Sequence, residues 1–471
     1  MRQAVVVGAG LGGLCTSLLL ADAGWSVTVV DRDEIAAPTT VDDSSTWQRR
    51  GVPQFRQSHG FIPLFTRELR SCLTEVYDDL LASGATEIRL TDNLPPAISG
   101  QPLDGDDELV FLAARRSTVD WALLRAAASR RHLQIRAGTA VAGLAVSRGR
   151  VTGVVLADGT LPTDLVVDAG GRRSPLLKDL APQPDRPADV DCGMVYNTRF
   201  YRLLDGADPG PLNRGFAAGG IFAGYSCVLF PHDNRTFSIA CGRLPDDTAL
   251  KPMREVDAFE AAVRAIPLVA PWREPGRSEP TSPVVPMAGL TSHLNLLAAD
   301  APTGLIRLAD AACTTNPAFG RGAALALLEA HRLAELLVDL RDLAHVRAAF
   351  DEFLTADLVP WHADAVAADQ ARTAAWRAAV AGVPSQSPAM RAPYPMPVLA
   401  AAAAVDKHVW QAVMQTAGML RKPAELAGDD AVHERVTDLM GAGWRPEPPP
   451  APSHAELAEV LREAVSSTSG R

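Results

Sequence analysis

An α/β fold with an inserted antiparallel sheet and a helical C-terminal region is predicted by three features of this 471-residue chain. The first is a glycine turn between two apolar strands, AVVVGAGLGGLCTSLLLADAGWSVTVVDRD (4–33). The second is a return of strand, irregular loop and long helix at GLIRLADAACTTNPAFGRGAALALLEAHRLAELLVDL (304–340). The third is the strand-rich stretch between them, followed beyond 345 by alanine-rich sequence of helical character.

Taken in order, Ala4 to Val7 is an unbroken apolar run, which suits a parallel strand covered on both faces. Gly8-x-Gly10-x-x-Gly13 follows. Gly8 permits a tight turn, Gly10 lets backbone approach a pyrophosphate, and Gly13 lets the next helix pack closely, with its N-terminal N–H groups aimed at phosphate. Val27 to Val30 is the second strand. Asp31, about twenty residues beyond the turn, is placed to accept from a ribose hydroxyl. Strand, helix, strand and acid in this order make a Rossmann-like dinucleotide site, although the turn alone does not choose between FAD and NAD.

Residues 60–82 show helical spacing (Phe61, Leu64, Phe65, Leu69, Leu73, Val76), as do 118–128 (Val119, Leu123, Leu124). Residues 133–156 read as short strands with a turn at Ser147-Arg148-Gly149-Arg150, and 161–171 as a buried strand ending in glycines. Met194 to Leu203 alternates, while Ser226–Phe230 and Thr236–Cys241 flank a hairpin turn at His232-Asp233-Asn234. A long helix is expected from about Gly322. A proline-rich loop spans 383–397, and PEPPPAP (446–452) reads as an extended linker before a short terminal helix.

Composition narrows the function classes. A net charge of -10 leaves no basic footprint for nucleic acid. Six scattered cysteines without a C-x-x-C pair argue against a zinc site and a disulfide framework, and fit a reducing, cytoplasmic setting. The apolar start could be read as a signal peptide. However, Leu14 stands before Cys15 where a lipidation site needs a small residue, and the phosphate-turn reading accounts for every glycine. No apolar run reaches the ~18 residues of a membrane span. No metal site is expected, since His331 follows Glu329 without H-E-x-x-H spacing.

The glycine turn, VVDAGGRRSPLLKDL (167–180) and LADAACTTNPAFGRG together resemble flavoprotein monooxygenases of the hydroxybenzoate-hydroxylase type, over most of residues 1–345. RGVPQFRQSHG (50–60), ARRSTVDWALL (114–124) and CGMVYNTRFYRL (192–203) are most similar to bacterial polyether epoxidases, those acting on monensin- and lasalocid-type polyketides. The resemblance implies FAD rather than NAD. It implies a discontinuous FAD-binding domain (1–75, 105–180, 290–344), a substrate-binding β-sheet domain (76–104, 181–289), a helical region (345–445) and a terminal linker with helix (446–471). It places Arg116 along the cofactor, Asp310 on the ribityl chain, and Asn316, Pro317, Gly320 and Gly322 around the isoalloxazine at a helix N-terminus. Arg32, Arg56 and Val141 complete the expected cofactor-binding set with Gly8, Gly10, Gly13 and Asp31.

The implied chemistry is oxygen transfer from a flavin C4a-hydroperoxide, with O₂ as co-substrate, epoxidising or hydroxylating a bulky apolar small molecule. Two departures from the family pattern stand out. Ala309-Asp310 replaces Gly-Asp, which loses a close-packing glycine. Gly170-Gly171 replaces an Asp-Gly dipeptide, with Asp168 two residues upstream. With no second G-x-G-x-x-G in the sequence, NAD(P)H could act directly or through a partner flavin reductase. The alternatives are a reductase of the geranylgeranyl-reductase type and a flavin-bearing non-redox cyclase. A halogenase is disfavoured because none of the eight tryptophans stands in W-x-W spacing.

Other candidates carry two readings each. Arg56 either contacts cofactor or packs at the helix start, and His59 is either catalytic or a helix-capping neighbour. Arg199 and Tyr201, two apart on one strand face, either line the substrate cavity or face solvent on an edge strand. Phe222, Phe230 and Phe237 either stack on substrate or fill the core of the inserted sheet. Trp376 and Trp410 are read as ordinary helical packing.

Overall fold

The computed structural model describes residues 2–176, 186–383 and 392–469. The expected domain boundary at 180/181 and residues 384–391 of the proline-rich loop lie outside the described residues.

Five parallel strands form the central sheet, in the order Leu305–Arg307, Leu165–Asp168, Gln3–Val7, Ser26–Val30 and Leu133–Arg136. The apolar run at Ala4 to Val7 has the expected cause. Ala4 and Val6 pack on one face against the helices Leu11–Asp22, Arg116–Ser129 and Gly322–Asp339. Val5 and Val7 pack on the other against Val141, Val151, Val154 and Leu156. Those four belong to an antiparallel ribbon, Val141–Ser147, Arg150–Leu156 and Gly159–Pro162. Its first turn has positive φ at Arg148 (51°) and Gly149 (72°), the twist that a two-residue hairpin requires.

The helical stretch near residue 60 divides into Pro63–Cys72 and Thr74–Ala82. Leu73 sits at the break with φ -135° and ψ 50°, yet its side chain stays buried, so the apolar spacing runs on through the kink.

The inserted sheet is antiparallel, ordered Ala218–Ile221, Tyr225–Pro231, Thr236–Arg243, Val195–Leu203 and Ser278–Pro280, with Val285–Met287 also pairing to Val195–Leu203. One face carries the helix Val256–Ala265 and the terminal helix His454–Ser469, whose Leu457 and Leu461 are fully buried there. The segment beyond PEPPPAP therefore docks on the inserted sheet. Around the opposite face, Val228 and Phe230 meet the ribbon Thr86–Arg89/Val110–Ala113 and the helices Met396–Ala402, Lys407–Ala417 and Asp430–Gly441. That ribbon crosses the boundary expected at 104/105. No helix among the described residues is long and apolar enough to cross a membrane.

Candidate functional site

The glycine turn is built by close approaches. A Cβ on Gly8, whose φ is 105°, would collide with the Ala169 carbonyl, and one on Gly13 would collide with the Gly8 carbonyl. Gly10 differs: a Cβ there meets nothing within 4 Å. The Gly10 backbone therefore faces open space at the N-terminus of the helix Leu11–Asp22, where N–H groups lack intrahelical acceptors and favour an anion. Asp31 closes the turn, its Oδ2 accepting from the Ala9 N–H (2.6 Å) and its Oδ1 from the Asp33 N–H (2.8 Å).

Arg49 was not among the sequence candidates, yet it is the buried cation of this region. Its Nη2 donates to the Ala9 carbonyl (3.2 Å) and lies 3.5 Å from Asp31 Oδ2. Its Nε stands 3.8 Å from Asp33 Oδ2, beyond hydrogen-bond range, and both Nε and Nη1 are buried without a hydrogen-bond partner. Unpartnered guanidinium donors beside an open helix N-terminus fit the pyrophosphate of a dinucleotide. Arg56, by contrast, is exposed and donates to the Thr46 carbonyl (3.3 Å), and Arg32 is exposed. Val141 is buried in the core between the sheet and the antiparallel ribbon.

The second half of the site lies at the N-terminus of the 18-residue helix Gly322–Asp339. A Cβ on Gly322 meets nothing within 4 Å, while Gly320 takes φ 68° to turn the chain into the helix. Asn316 fixes this loop, accepting from the Ala318 N–H (3.0 Å) and donating to Asp369 (2.7 Å), with Pro317 in the short turn it caps. Asp310 precedes the loop and accepts from Gln54 Nε2 (3.4 Å), which ties the loop to segment 50–60. Burial raises the Asp310 pKa, and the nearby Arg116 charge opposes that rise. Arg116 is the first residue of its helix and forks onto Asp120 (2.6 and 3.4 Å).

His59 faces the same interior. Burial, and then the Arg116 charge, hold its pKa down to about 3, so the ring is neutral at neutral pH. Its Nδ1 bonds the Gln57 carbonyl (2.9 Å), which can only accept, so Nδ1 carries the proton and Nε2 offers a lone pair. The structure thus gathers Gln54, His59, Arg116, Asp310 and the Gly320 loop into one region.

The inserted-sheet candidates divide by face. Arg199 is buried and does not face solvent. It donates to Glu260 (2.7 Å) on the helix Val256–Ala265 and to the Ser282 carbonyl (3.0 Å). Tyr201 donates to the same Glu260 oxygen (2.8 Å), and Arg273 pairs with the other oxygen (3.0 Å). Phe237 stacks on Tyr201 at 5.1 Å within this helix-covered core, and Phe222 packs there against Tyr225. Neither residue faces solvent on an edge strand: a helix covers this face, a long-range packing that alternation does not encode. Phe230 lies on the opposite face, half-buried beside Phe111 and Phe216. A Cβ on Gly60 would lie 3.5 Å from Phe230, and one on Gly320 would lie 3.5 Å from the Gly60 carbonyl. Phe230 therefore borders the loop site.

Comparison with known proteins agrees with this architecture. Residues 1–57 match a family described as an FAD binding domain. Protein Rv3254 of Mycobacterium tuberculosis is 26% identical over 375 residues, covering 71% of this chain and 73% of that protein. PqsL from Pseudomonas aeruginosa, described as "a probable FAD-dependent monooxygenase", superposes with a TM-score of 0.54 at 15% identity, over 82% of this chain and 97% of PqsL. The Diels-Alderase PyrE3 of the pyrroindomycin pathway superposes with a TM-score of 0.54 at 17% identity, over 89% of this chain and 80% of PyrE3. The chain shares the α/β fold of these proteins, and its first 57 residues match the FAD binding domain. A fold common to proteins so differently named does not set the reaction.

Proposed function

We propose that this protein is an FAD-dependent monooxygenase that adds an oxygen atom to a bulky, largely apolar small molecule. The observation that carries the reading is the pair of open glycine seats, Gly10 and Gly322, each at the N-terminus of a long helix. Beside the first seat buried Arg49 keeps two donors without hydrogen-bond partners, and ahead of the second Gln54 reaches Asp310. A buried cation beside one open helix end and bare backbone at the other suit a ligand that carries a pyrophosphate and a flat ring, as FAD does.

In this reading Gly10 and Arg49 hold the pyrophosphate, Asp31 the adenosine ribose and Asp310 the ribityl chain. The backbone N–H groups at the Gly322 helix end would stabilise the negative charge that a bound flavin takes on when reduced. Bound and reduced, FAD supplies the activation of O₂, from which one oxygen atom enters the substrate and the other leaves as water. The chain's own residues bind, orient and exclude water. Neutral His59 holds no proton on Nε2 and so serves as an acceptor there.

The proposal extends to a polyketide-like substrate, because Phe230, the half-buried end of a stack whose other rings Phe111 and Phe216 are buried, offers apolar contact beside the loop. It also extends to electrons arriving from a partner flavin reductase. Asp168, upstream of Gly170-Gly171, is committed to Ser174 (2.6 Å) and Arg307 (3.1 Å), which favours a structural role for it over contact with a nicotinamide.

Stopped-flow mixing of the photoreduced, FAD-loaded protein with O₂ tests the reading. A transient absorbing species ahead of reoxidation is expected. Reoxidation in one step with stoichiometric hydrogen peroxide release, unchanged by candidate substrates, would contradict it.

A further inference from the structure

A three-member hydrogen-bond chain runs from the inserted sheet to the loop site. His232 Nδ1 bonds the Ala114 carbonyl (3.1 Å), and its Nε2 bonds Ser238 Oγ (2.7 Å). Ser238 Oγ in turn bonds Ser58 Oγ (2.7 Å). The direction of every proton follows from one end. A carbonyl can only accept, so the His232 proton is on Nδ1 and Nε2 is the acceptor. Ser238 must then donate to His232, which leaves it able only to accept from Ser58. Ser58 gives its single proton to Ser238 and has lone pairs alone to offer elsewhere. Burial lowers the His232 pKa to about 4, so the ring stays neutral at neutral pH and the direction does not reverse.

The position of Ser58 gives this polarity a use. Ser58, His59 and Gly60 are half-buried and consecutive. A Cβ on Gly320 would stand 3.5 Å from the Gly60 carbonyl, and one on Gly60 would stand 3.3 Å from Phe111 and 3.5 Å from Phe230, so Gly60 lies between the loop and these rings. Phe230 and Ser238 are directly paired across adjacent strands, so the half-buried Phe230 ring and the hydrogen-bond chain share one face of the sheet. Phe111, Phe216 and Phe230 lie nearly parallel, at 14–21° to one another.

We propose that Ser58 is an acceptor-only hydroxyl, held in that state by Ser238 and His232, which selects a substrate bearing a hydroxyl or N–H donor beside an unsaturated apolar framework. The site discriminates by polarity: a carbonyl or ether oxygen at that position meets only lone pairs. His59 Nε2, next along the chain, presents the same polarity. The inference rests on the reading of the loop site as the place of oxidation, and it names the substrate class for that site.

Calorimetric binding to the FAD-loaded protein at neutral pH, with 2-naphthol and 2-methoxynaphthalene as probes, tests it. These share the ring system and differ at the oxygen, which carries a proton in one and a methyl group in the other, so the variants below separate the donor from the added methyl. The wild-type protein is expected to bind the naphthol about tenfold more tightly, the scale of one hydrogen bond in a partly dry site. Ser58→Ala should bring the two within about threefold by weakening the naphthol. Ser238→Ala should narrow the gap from the other side. With its acceptor gone, the Ser58 proton is free to reach the ether, and binding of the methoxy probe should strengthen. A purely structural role for Ser238 would not produce that gain.

Equal affinities in the wild type, no binding of the naphthol, or a Ser238→Ala variant without tighter ether binding would each overturn the proposal. If Ser238→Ala does not fold, Ser58→Ala on the half-buried loop decides the matter alone. FAD content is read separately by absorbance. Loss of flavin with donor selectivity intact would count against the oxidoreductase reading and leave the polarity of Ser58 standing.

Discussion

Gly12 and Ala309 compete for one space where the first helix meets the returning loop: a Cβ on Gly12 would lie 2.6 Å from that of Ala309. Ala309 also holds a left-handed φ of 54°, and its N–H donates to buried Glu329 (2.8 Å). The glycine missing before Asp310 has its counterpart across the contact, inside the glycine turn. Gly12→Ala alone should destabilise by about 1–3 kcal/mol through overpacking. Ala309→Gly should relieve about 1–2 kcal/mol of backbone strain. The double variant should be more stable than the sum of the two single effects, because removing the Ala309 Cβ also removes the clash with the new one on Gly12. Thermal midpoints of the four proteins check this, and additive effects would mean that the two sites are independent.

Arg49 and Arg56 separate by burial. Arg49→Gln should weaken FAD binding by about 1.5–3 kcal/mol, the worth of a charge-assisted bond to phosphate. Arg56→Ala should change it by less than about 1 kcal/mol, as for an exposed cation. Equilibrium dialysis against FAD measures both. The reverse ranking would return Arg56 to the site and remove Arg49.

Glu329 makes stability depend on pH. Burial raises its pKa from 4.5 to about 8, so between those values the folded chain keeps a proton that the unfolded chain has released. Its contribution is full below pH 4.5 and is lost as pH rises toward 8. Glu329→Gln keeps an acceptor for the Ala309 N–H but cannot ionise. Its thermal midpoint relative to wild type should therefore rise steadily from pH 5 to pH 8, within the same window. A constant difference would show that Glu329 does not titrate there.

Arg199 should matter for stability and not for ligand choice. Arg199→Met leaves Glu260 with Arg273 and Tyr201 but removes one buried charge-assisted bond, at a cost of about 1.5–3 kcal/mol. FAD content and 2-naphthol binding should be unchanged in the folded variant. A changed probe affinity would restore the expectation that Arg199 lines the cavity.

Much of this architecture was legible because it is local. The glycine turn, Asp31, the Arg148-Gly149 turn and the strand-loop-helix around Gly320 each carry their own steric signature over a few residues. What was not legible depends on distant packing. Alternation placed Arg199 and Tyr201 on one face but could not say that the helix Val256–Ala265 covers it. Arg49 stands one residue before the recognised 50–60 segment, and nothing local distinguishes a buried arginine from an exposed one. The docking of the helix His454–Ser469 is equally non-local, since its partner lies almost two hundred residues earlier in the chain.

The central claim is that Gly10, Arg49 and the Gly322 helix end form one seat for a single FAD. Titration of flavin-stripped protein with FAD, followed by absorbance and calorimetry, tests it most directly. The account expects one FAD per chain in the wild type, with binding lost both on Gly10→Val, at the phosphate end, and on Gly322→Val, at the ring end. Binding that survives either substitution at full strength, or a protein that takes up NAD and not FAD, would contradict it.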